Sequence, residues 1–529
     1  PPVASVGCAA CHSAASEAPP DLHGALGCAV CHLGDVQART AEVAHLGLER
    51  EPGALDTVAH TCGQSGCHAR EAERVATSLM ATGVGLVAVD RWAFGELPSP
   101  DGAQSIGDVL AAEHPSPAED HLRRLCAGCH LGTRRDNRDD AVRGAGSGCS
   151  ACHSASRAPG GPHPPIDSVI PDARCLGCHS RSARISLAYT GLAEVHEGAA
   201  CAEPVRLFDG RPGCRVSADV HQAAGMACTD CHLHTELMGD GRTHSHQEQA
   251  VEVTCASCHG PPDRANEATW ADVDDPITAT LLARRGERRS PSERVRRGLA
   301  GTPLWSLRPT ADGPWSLTRK ADGRVLPVPQ TPADANHRSG EHDRLSCSAC
   351  HAAWAPMCPE CHTSFAPDGE QWDFGAGGPR PGRWVEAPAP FGWAEPLLGV
   401  TAGDRIVPVV PGMHATFDPG PSGPITRRLF APAAPHTTSR AGRSCASCHH
   451  ARQDPRAWTP EQPGEGTRVG LRSLSAAEIG RVRAVAHCLR CHGEADDPAW
   501  SSERLRDESG LLRFVVLDNS SEICPFQQN

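Results

Sequence analysis

Twelve times along this 529-residue chain, two closely spaced cysteines are followed at once by a histidine. Eleven copies read Cys-x-x-Cys-His: Cys8, Cys11 and His12; Cys28, Cys31 and His32; Cys126, Cys129 and His130; Cys149, Cys152 and His153; Cys175, Cys178 and His179; Cys228, Cys231 and His232; Cys255, Cys258 and His259; Cys347, Cys350 and His351; Cys358, Cys361 and His362; Cys445, Cys448 and His449; and Cys488, Cys491 and His492. The twelfth is wider, with four residues between Cys62 and Cys67 before His68. Two thiols at the shorter spacing can add across the two vinyl groups of one haem. The following histidine then falls under the ring and takes the iron as proximal ligand. A gap of four also closes, as a wider loop. Twelve covalently attached haems c are therefore expected. Zinc is the competing chemistry, since cysteine pairs also build tetrahedral zinc sites. Neither zinc nor a disulfide framework needs a histidine directly after every second cysteine.

The second axial position of each iron decides what the site can do. A second histidine or a methionine makes a closed, electron-carrying haem, and an open side permits substrate chemistry. Seventeen of the 29 histidines lie outside the motifs, and twelve are needed for complete bis-histidine ligation. The candidates are His23, His45, His60, His114, His121, His163, His221, His234, His337, His414, His450 and His487, leaving His196, His244, His246, His342 and His436 as surplus. Each of the five methionines is expected to serve packing. Bis-histidine sites hold lower potentials than His/Met sites, and no catalytic residue is expected.

Three of the 27 cysteines stand outside the motifs. Cys201 and Cys214 enclose a turn-rich loop with Pro204, Gly210, Pro212 and Gly213, and are expected to form a disulfide. Cys524 has no evident partner. A disulfide and haem attachment both point to an extracytoplasmic setting, extracellular or at the cell surface, or else periplasmic. The beginning at Pro1-Pro2-Val3 reads as a processed mature protein. No run of 18 apolar residues is present, so no transmembrane helix is expected. The formal charge of −13, made more acidic by haem propionates, argues against nucleic acid as a partner. The cations are nearly all Arg, with Lys320 alone as lysine, and Arg suits bidentate pairing with propionates.

One Tyr and nine Phe stand against 53 Gly and 46 Pro, so side chains alone supply little core. The expected fold is mostly coil with short α-helices and a few β-hairpins, its interior filled by haems. Motif density divides the chain into an octahaem region (1–260), a haem-free connecting or assembly segment with a β-hairpin (261–340), and a tetrahaem region (341–529) with a haem-free β-like insert (363–440). Helices are expected over 69–81 and from Ala118 to Leu125. Others are expected from Ala218, from Arg284 to Arg297, and after Ser475, whose spacing to Glu478 fits a capping box. Trp305 and Trp315 flank a turn and read as a hairpin. The run from Gly7 resembles the run from Gly148, and His23 and His163 follow at matching distances. This weak repeat assigns them the same role, distal ligation.

The twelve motifs resemble those of bacterial multihaem c-type cytochromes. The resemblance covers the motifs across the whole chain but not the sequence between them. Among extracellular and surface electron-transfer cytochromes and their relatives, periplasmic or outer-membrane decahaem conduits are similar in haem density, especially to residues 1–260, and filament-forming surface cytochromes in their coil-rich fold and bis-His haem stack. Multihaem nitrite reductases resemble it in motif count, but they typically mark the catalytic haem with a lysine in the motif, which is missing here. Hydroxylamine oxidoreductases use a tyrosine cross-link, and Tyr189, the sole tyrosine, has no clear counterpart. The resemblance implies an electron-transfer protein rather than an enzyme, for extracellular or cell-surface respiration. Its partners would be other redox proteins, extracellular electron acceptors, or copies of itself in a polymer, with His23 or His45 able to ligate in trans. A monomeric shuttle or conduit is the alternative, and a reductase with one open haem a more distant one.

Overall fold

The computed structural model describes residues 7–12, 23–134, 147–154, 165–180, 185–260, 269–270, 283, 294–310, 315–332, 337, 340, 342–356, 361–386, 392–409, 413–420, 423–449 and 465–489. Short helices and several small sheets are joined by much coil. No helix among the described residues is long and apolar enough to cross a membrane. The apolar interior is divided into small separate clusters rather than one core.

The largest sheet departs from the expectation of hairpins alone. Its strands are β1 (Cys361–Asp373), β2 (Gly378–Glu386), β3 (Met413–Asp418), β4 (Ile425–Phe430) and β5 (Glu465–Thr467), in the order β2-β1-β3-β4-β5. β1–β2 and β3–β4 are antiparallel; β1–β3 and β4–β5 are parallel. Alternation along the strands sends Phe365, Trp384, Phe417 and Leu429 to one face. That face packs on α1 (Val84–Ala93) and α2 (Pro117–His121) through Trp92, Ala93, Phe94 and Ala118. Packing therefore crosses the boundaries drawn from motif density, because the insert's apolar face can be buried only against residues of the N-terminal half. Arg123 and Asp373, both almost fully buried, form an ion pair of 2.8 Å across this junction.

Local chemistry explains how the helices end. Ser116 and Glu119 exchange hydrogen bonds in a capping box, with Pro117 at the first helical position. Beyond His121 the chain widens into a π turn over Leu122–Cys126 that delivers Cys126. The helix expected over 69–81 is two helices, Ala69–Val75 and Leu79–Thr82. Thr77 and Ser78 donate their hydroxyls to the carbonyls of Arg74 and Val75, and Ser78 then caps the second helix. Ser475 and Glu478 form the expected capping box at the start of α3 (Ala476–Cys488).

The segment 261–340 supports the site beside it. Leu307–Pro309, Trp315–Thr318 and Val325–Val328 form a three-stranded antiparallel sheet. Leu307, Trp315, Leu317 and Val328 pack on Leu233, with Met226, Val253 and Cys258 against them. Of the expected helix from Arg284, only Arg294–Arg297 is described, and Arg294–Val295 is a strand paired with Thr269–Trp270. Arg296 then lies over the Trp315 ring at 4.1 Å and donates to the Cys258 carbonyl.

Cys201 and Cys214 are disulfide-bonded, with Cα atoms 5.9 Å apart. The bond ties the loop to the strand Pro212–Arg215, which pairs with Leu192–Glu194 and Pro204–Arg206. Replacing both cysteines by serine is expected to lower stability by about 3 kcal/mol, the loss of loop-closure entropy for a ring of this size. Chemical unfolding of the variant beside the parent checks it.

Candidate histidine-pair sites

Six motif histidines each face a histidine from outside the motifs. The ring centroids are 6.0 Å apart for His12 and His45, 6.2 Å for His68 and His23, and 5.9 Å for His259 and His221. They are 6.2 Å apart for His232 and His436, 6.3 Å for His351 and His337, and 6.2 Å for His449 and His342. Direct ring stacking would bring centroids closer. An iron bonded to one nitrogen of each ring at about 2 Å would set centroids roughly 6.3 Å apart. The pairs thus fit a metal held between two imidazoles. Among the described residues, no three His, Cys, Asp or Glu side chains converge as a multidentate metal site would require.

The outer nitrogens of several motif rings, three of the paired ones among them, are anchored on backbone carbonyls. Nδ1 of His32 donates to the Glu49 carbonyl at 2.7 Å, that of His153 to Asp167 at 2.8 Å, and that of His259 to Pro329 at 2.6 Å. His351 donates to Ser439 at 3.0 Å and His449 to Val482 at 2.9 Å. A carbonyl only accepts, so Nδ1 carries the proton and Nε2 keeps its lone pair for a metal. His232 differs, because its Nδ1 meets the Glu236 carboxylate at 2.6 Å. His221 likewise meets the Asp219 carboxylate, at 2.8 Å.

The motifs also touch one another in an order close to that of the chain. Cys8 lies beside Cys28, Cys62 beside Cys149, Cys175 beside Cys228, and Cys255 beside Cys347. Cys31 lies beside Cys62 and Cys67, Cys231 beside Cys258, and Cys350 beside Cys445 and Cys448. Helix Ser150–His153 packs against Asp172–His179. One unbroken run of motifs results, from Cys8 to His449, with two side connections. Gly148 donates to the carbonyl of Leu131, just past the motif at Cys126–His130. Val482, which anchors His449, lies in α3, the helix that leads into the last motif. Burial pushes the Cys231 thiol up to about 12 and the Cys258 thiol up to about 11.

Four of the twelve candidate partners, His23, His45, His221 and His337, face motif rings. His23 and His45 face motif rings of their own chain. His342 and His436, counted as surplus, face motif rings instead. His436 is one of three described non-glycine residues with a left-handed backbone, φ 55°. Such a conformation persists only where the surroundings impose it. Tyr189 stands edge-on to His436 with ring centroids 6.4 Å apart, and its hydroxyl donates to the Met226 carbonyl at 2.8 Å.

His121 is a core residue, and its assignment as a distal ligand is corrected. Its Nδ1 bonds Asp90, Nε2 lies 3.3 Å from the Thr363 hydroxyl, and Phe94, Trp384 and Phe417 surround the ring. Both nitrogens are engaged within the apolar cluster. His60, His114 and His234 face no motif ring among the described residues. His60 lines a cleft of about 640 Å³ with Ala29, Val30 and Leu33, beside the second motif. His163, His450, Cys358, Cys491, His492 and Cys524 lie outside the described residues, as do the side chains of Cys361, His362, His414, His487 and Cys488. Comparison with protein-family models, with curated proteins and with solved structures finds no match.

Glu49 links two motifs. Its carbonyl anchors His32, and its carboxylate receives Arg134 at 3.0 and 2.9 Å, four residues past His130. The Arg134 guanidinium holds the Glu49 carboxyl down at about 2. A depressed folded value means that the stabilisation is complete at neutral pH. It fades as pH falls from about 5 and is lost near pH 2. In acid titrations of unfolding, the stability gap between the parent and Glu49→Gln is expected to close across that window.

Proposed function

We propose that this chain is a multihaem c-type cytochrome that passes electrons along a row of twelve covalently held, mostly bis-histidine haems, outside the cytoplasm and at or beyond the cell surface. The observation that carries this reading is the set of six facing pairs, each with one motif and one non-motif histidine, all at 5.9–6.3 Å. Each pair of motif cysteines would hold one haem by thioether bonds, and the motif and facing histidines would be the ligands of its iron. Backbone carbonyls fix the tautomer of the motif imidazoles and keep them from turning away. Each haem, when bound, supplies a one-electron ferric/ferrous couple. The chain's part is to hold neighbouring sites in contact, leaving the motifs at Cys8–His12 and Cys445–His449 at the ends of the run. Those ends are where a redox partner, an extracellular acceptor or a second copy of the chain would dock. The Cys201–Cys214 disulfide supports an oxidising compartment.

Intact mass and low-temperature spectra of the purified protein test the reading. A mass exceeding the polypeptide by twelve haems, with low-spin ferric signals dominant, is expected. Bound zinc, or a chain without haem, would overturn it. A substantial high-spin fraction would point to a reductase with an open site. Electron micrographs of the same material separate a polymer, seen as regular filaments, from a discrete shuttle.

A further inference from the structure

The motifs at Cys228–His232 and Cys255–His259 are adjacent in the run, and each has an axial candidate bonded to a carboxylate. His232 has Glu236, one helical turn on, at 2.6 Å. His221, which faces His259, has Asp219 at 2.8 Å. The Nδ1 atoms of His32, His153, His259, His351 and His449 instead meet neutral backbone carbonyls. Three further histidines contact carboxylates, His121 with Asp90, His244 with Asp240 and His246 with Asp101, but none of them faces a motif ring.

We infer that Glu236 and Asp219 are positioning residues that make these two neighbouring haems the lowest in reduction potential along the run. The inference rests on the functional reading above. A carboxylate on the outer nitrogen draws the ring proton toward itself, which makes the inner nitrogen a stronger donor to iron. Its negative charge also favours ferric over ferrous iron. Both effects lower the potential, and both grow where water is excluded.

The two carboxylates are withdrawn from water, while the His221 and His232 rings they hold are 31 % and 33 % exposed. The side chain of Asp219 is 3 % exposed and that of Glu236 12 %. The second Glu236 oxygen, Oε2, is buried and has no other hydrogen-bond partner, so the carboxylate is committed to His232. Asp219 serves both sites, since its other oxygen accepts from the Thr438 backbone at 2.7 Å, two residues from His436. Two cations stand nearby and oppose the effect. Lys320 donates to the Thr229 carbonyl and Arg296 to the Cys258 carbonyl. These bonds go to motif backbone, whereas the carboxylates act directly through the axial rings.

The test is a spectroelectrochemical titration of the full-length holoprotein and two variants. Glu236→Gln keeps an acceptor oxygen and removes the charge. Its last-reduced component should move to higher potential, and one low-spin ferric resonance should shift, with twelve haems retained by mass. Glu236→Asp, which keeps the charge, should leave that component low. Asp219→Asn is read the same way for the second site and keeps the test available should a Glu236 variant fail to mature. Variants that retain twelve haems and titrate as the parent would overturn the inference. A parent protein without haem would instead overturn the functional reading on which it rests.

Discussion

His436→Ala is expected to turn one low-spin haem in twelve into a site that binds carbon monoxide, with the other eleven unchanged. The ring is half-buried, faces His232 at 6.2 Å with an angle of 28° between the planes, and is held there by a left-handed backbone. No described histidine stands ready to replace it. Tyr189, edge-on to the same ring, keeps its hydroxyl on Met226, and burial pushes that hydroxyl well above the usual tyrosine range, so it stays protonated and is no substitute ligand. Carbon monoxide binding to the reduced variant should therefore rise by one equivalent over the parent, and free imidazole should reverse it. A variant that stays fully low-spin and binds no carbon monoxide would show that His436 is not a ligand. The position in the run adds a second readout. The motif at Cys228–His232 lies between its neighbours at Cys175–His179 and Cys255–His259, so electron transit from end to end should slow. His45→Ala, at the end of the run, should leave transit through the middle untouched.

Arg123→Met is expected to cost about 3–5 kcal/mol, the largest stability loss of any single change considered, because it strands a buried carboxylate. The side chains of Arg123 and Asp373 are 4 % and 2 % exposed. Arg123 also donates to the Ala112 carbonyl, and Asp373 accepts from the backbone of Gly375 and Ala376. Gly375 is required at its position, since a β-carbon there would strike the guanidinium. Chemical unfolding followed by far-ultraviolet circular dichroism reads the loss. The double variant Arg123→Met/Asp373→Leu should recover most of it, because two apolar groups leave no charge unpaired. A single variant as stable as the parent would mean that the pair contributes little. Arg123 stands three residues before Cys126, and Asp373 ends the strand that begins at Cys361. The same variant should therefore loosen two motifs together while leaving the rest of the run intact.

What the sequence made legible was the chemistry that a few adjacent residues carry. Motif spacing, the Ser475–Glu478 cap and the Cys201–Cys214 loop are local, and local rules read them. The partner of a motif histidine is a different kind of information. His23, His45, His221 and His337 lie within one or two motifs of the rings they face, and counting histidines was enough to nominate them. His436 and His342 meet rings far along the chain, and nothing near either residue announces the meeting. The five-residue interval before a motif, shared by His121 and His342, was ambiguous. It precedes a core histidine in the first case and a ring-facing one in the second. What separates them is that Phe94, Trp384 and Phe417 close around His121, a consequence of sheet packing that no spacing encodes. The segment 261–340 has no motif of its own, and nothing local in it announces that Pro329 anchors His259 and Thr331 donates to its carbonyl.

The contacts between motif thiols carry a hazard for biogenesis. Before any haem is attached, Cys62 can reach Cys149, Cys175 can reach Cys228, and Cys255 can reach Cys347. In an oxidising compartment, thiols so placed can be trapped as cross-links between motifs, each of which would block two attachment sites at once. In every such contact the second cysteine is translated later than the first. A maturation apparatus that loads each motif as it emerges from export would consume the first thiol before its rival arrives. The order of synthesis would then protect the chain. Starving cells of haem while export continues should leave molecules stapled at these pairs, recognisable by peptide mapping under non-reducing conditions.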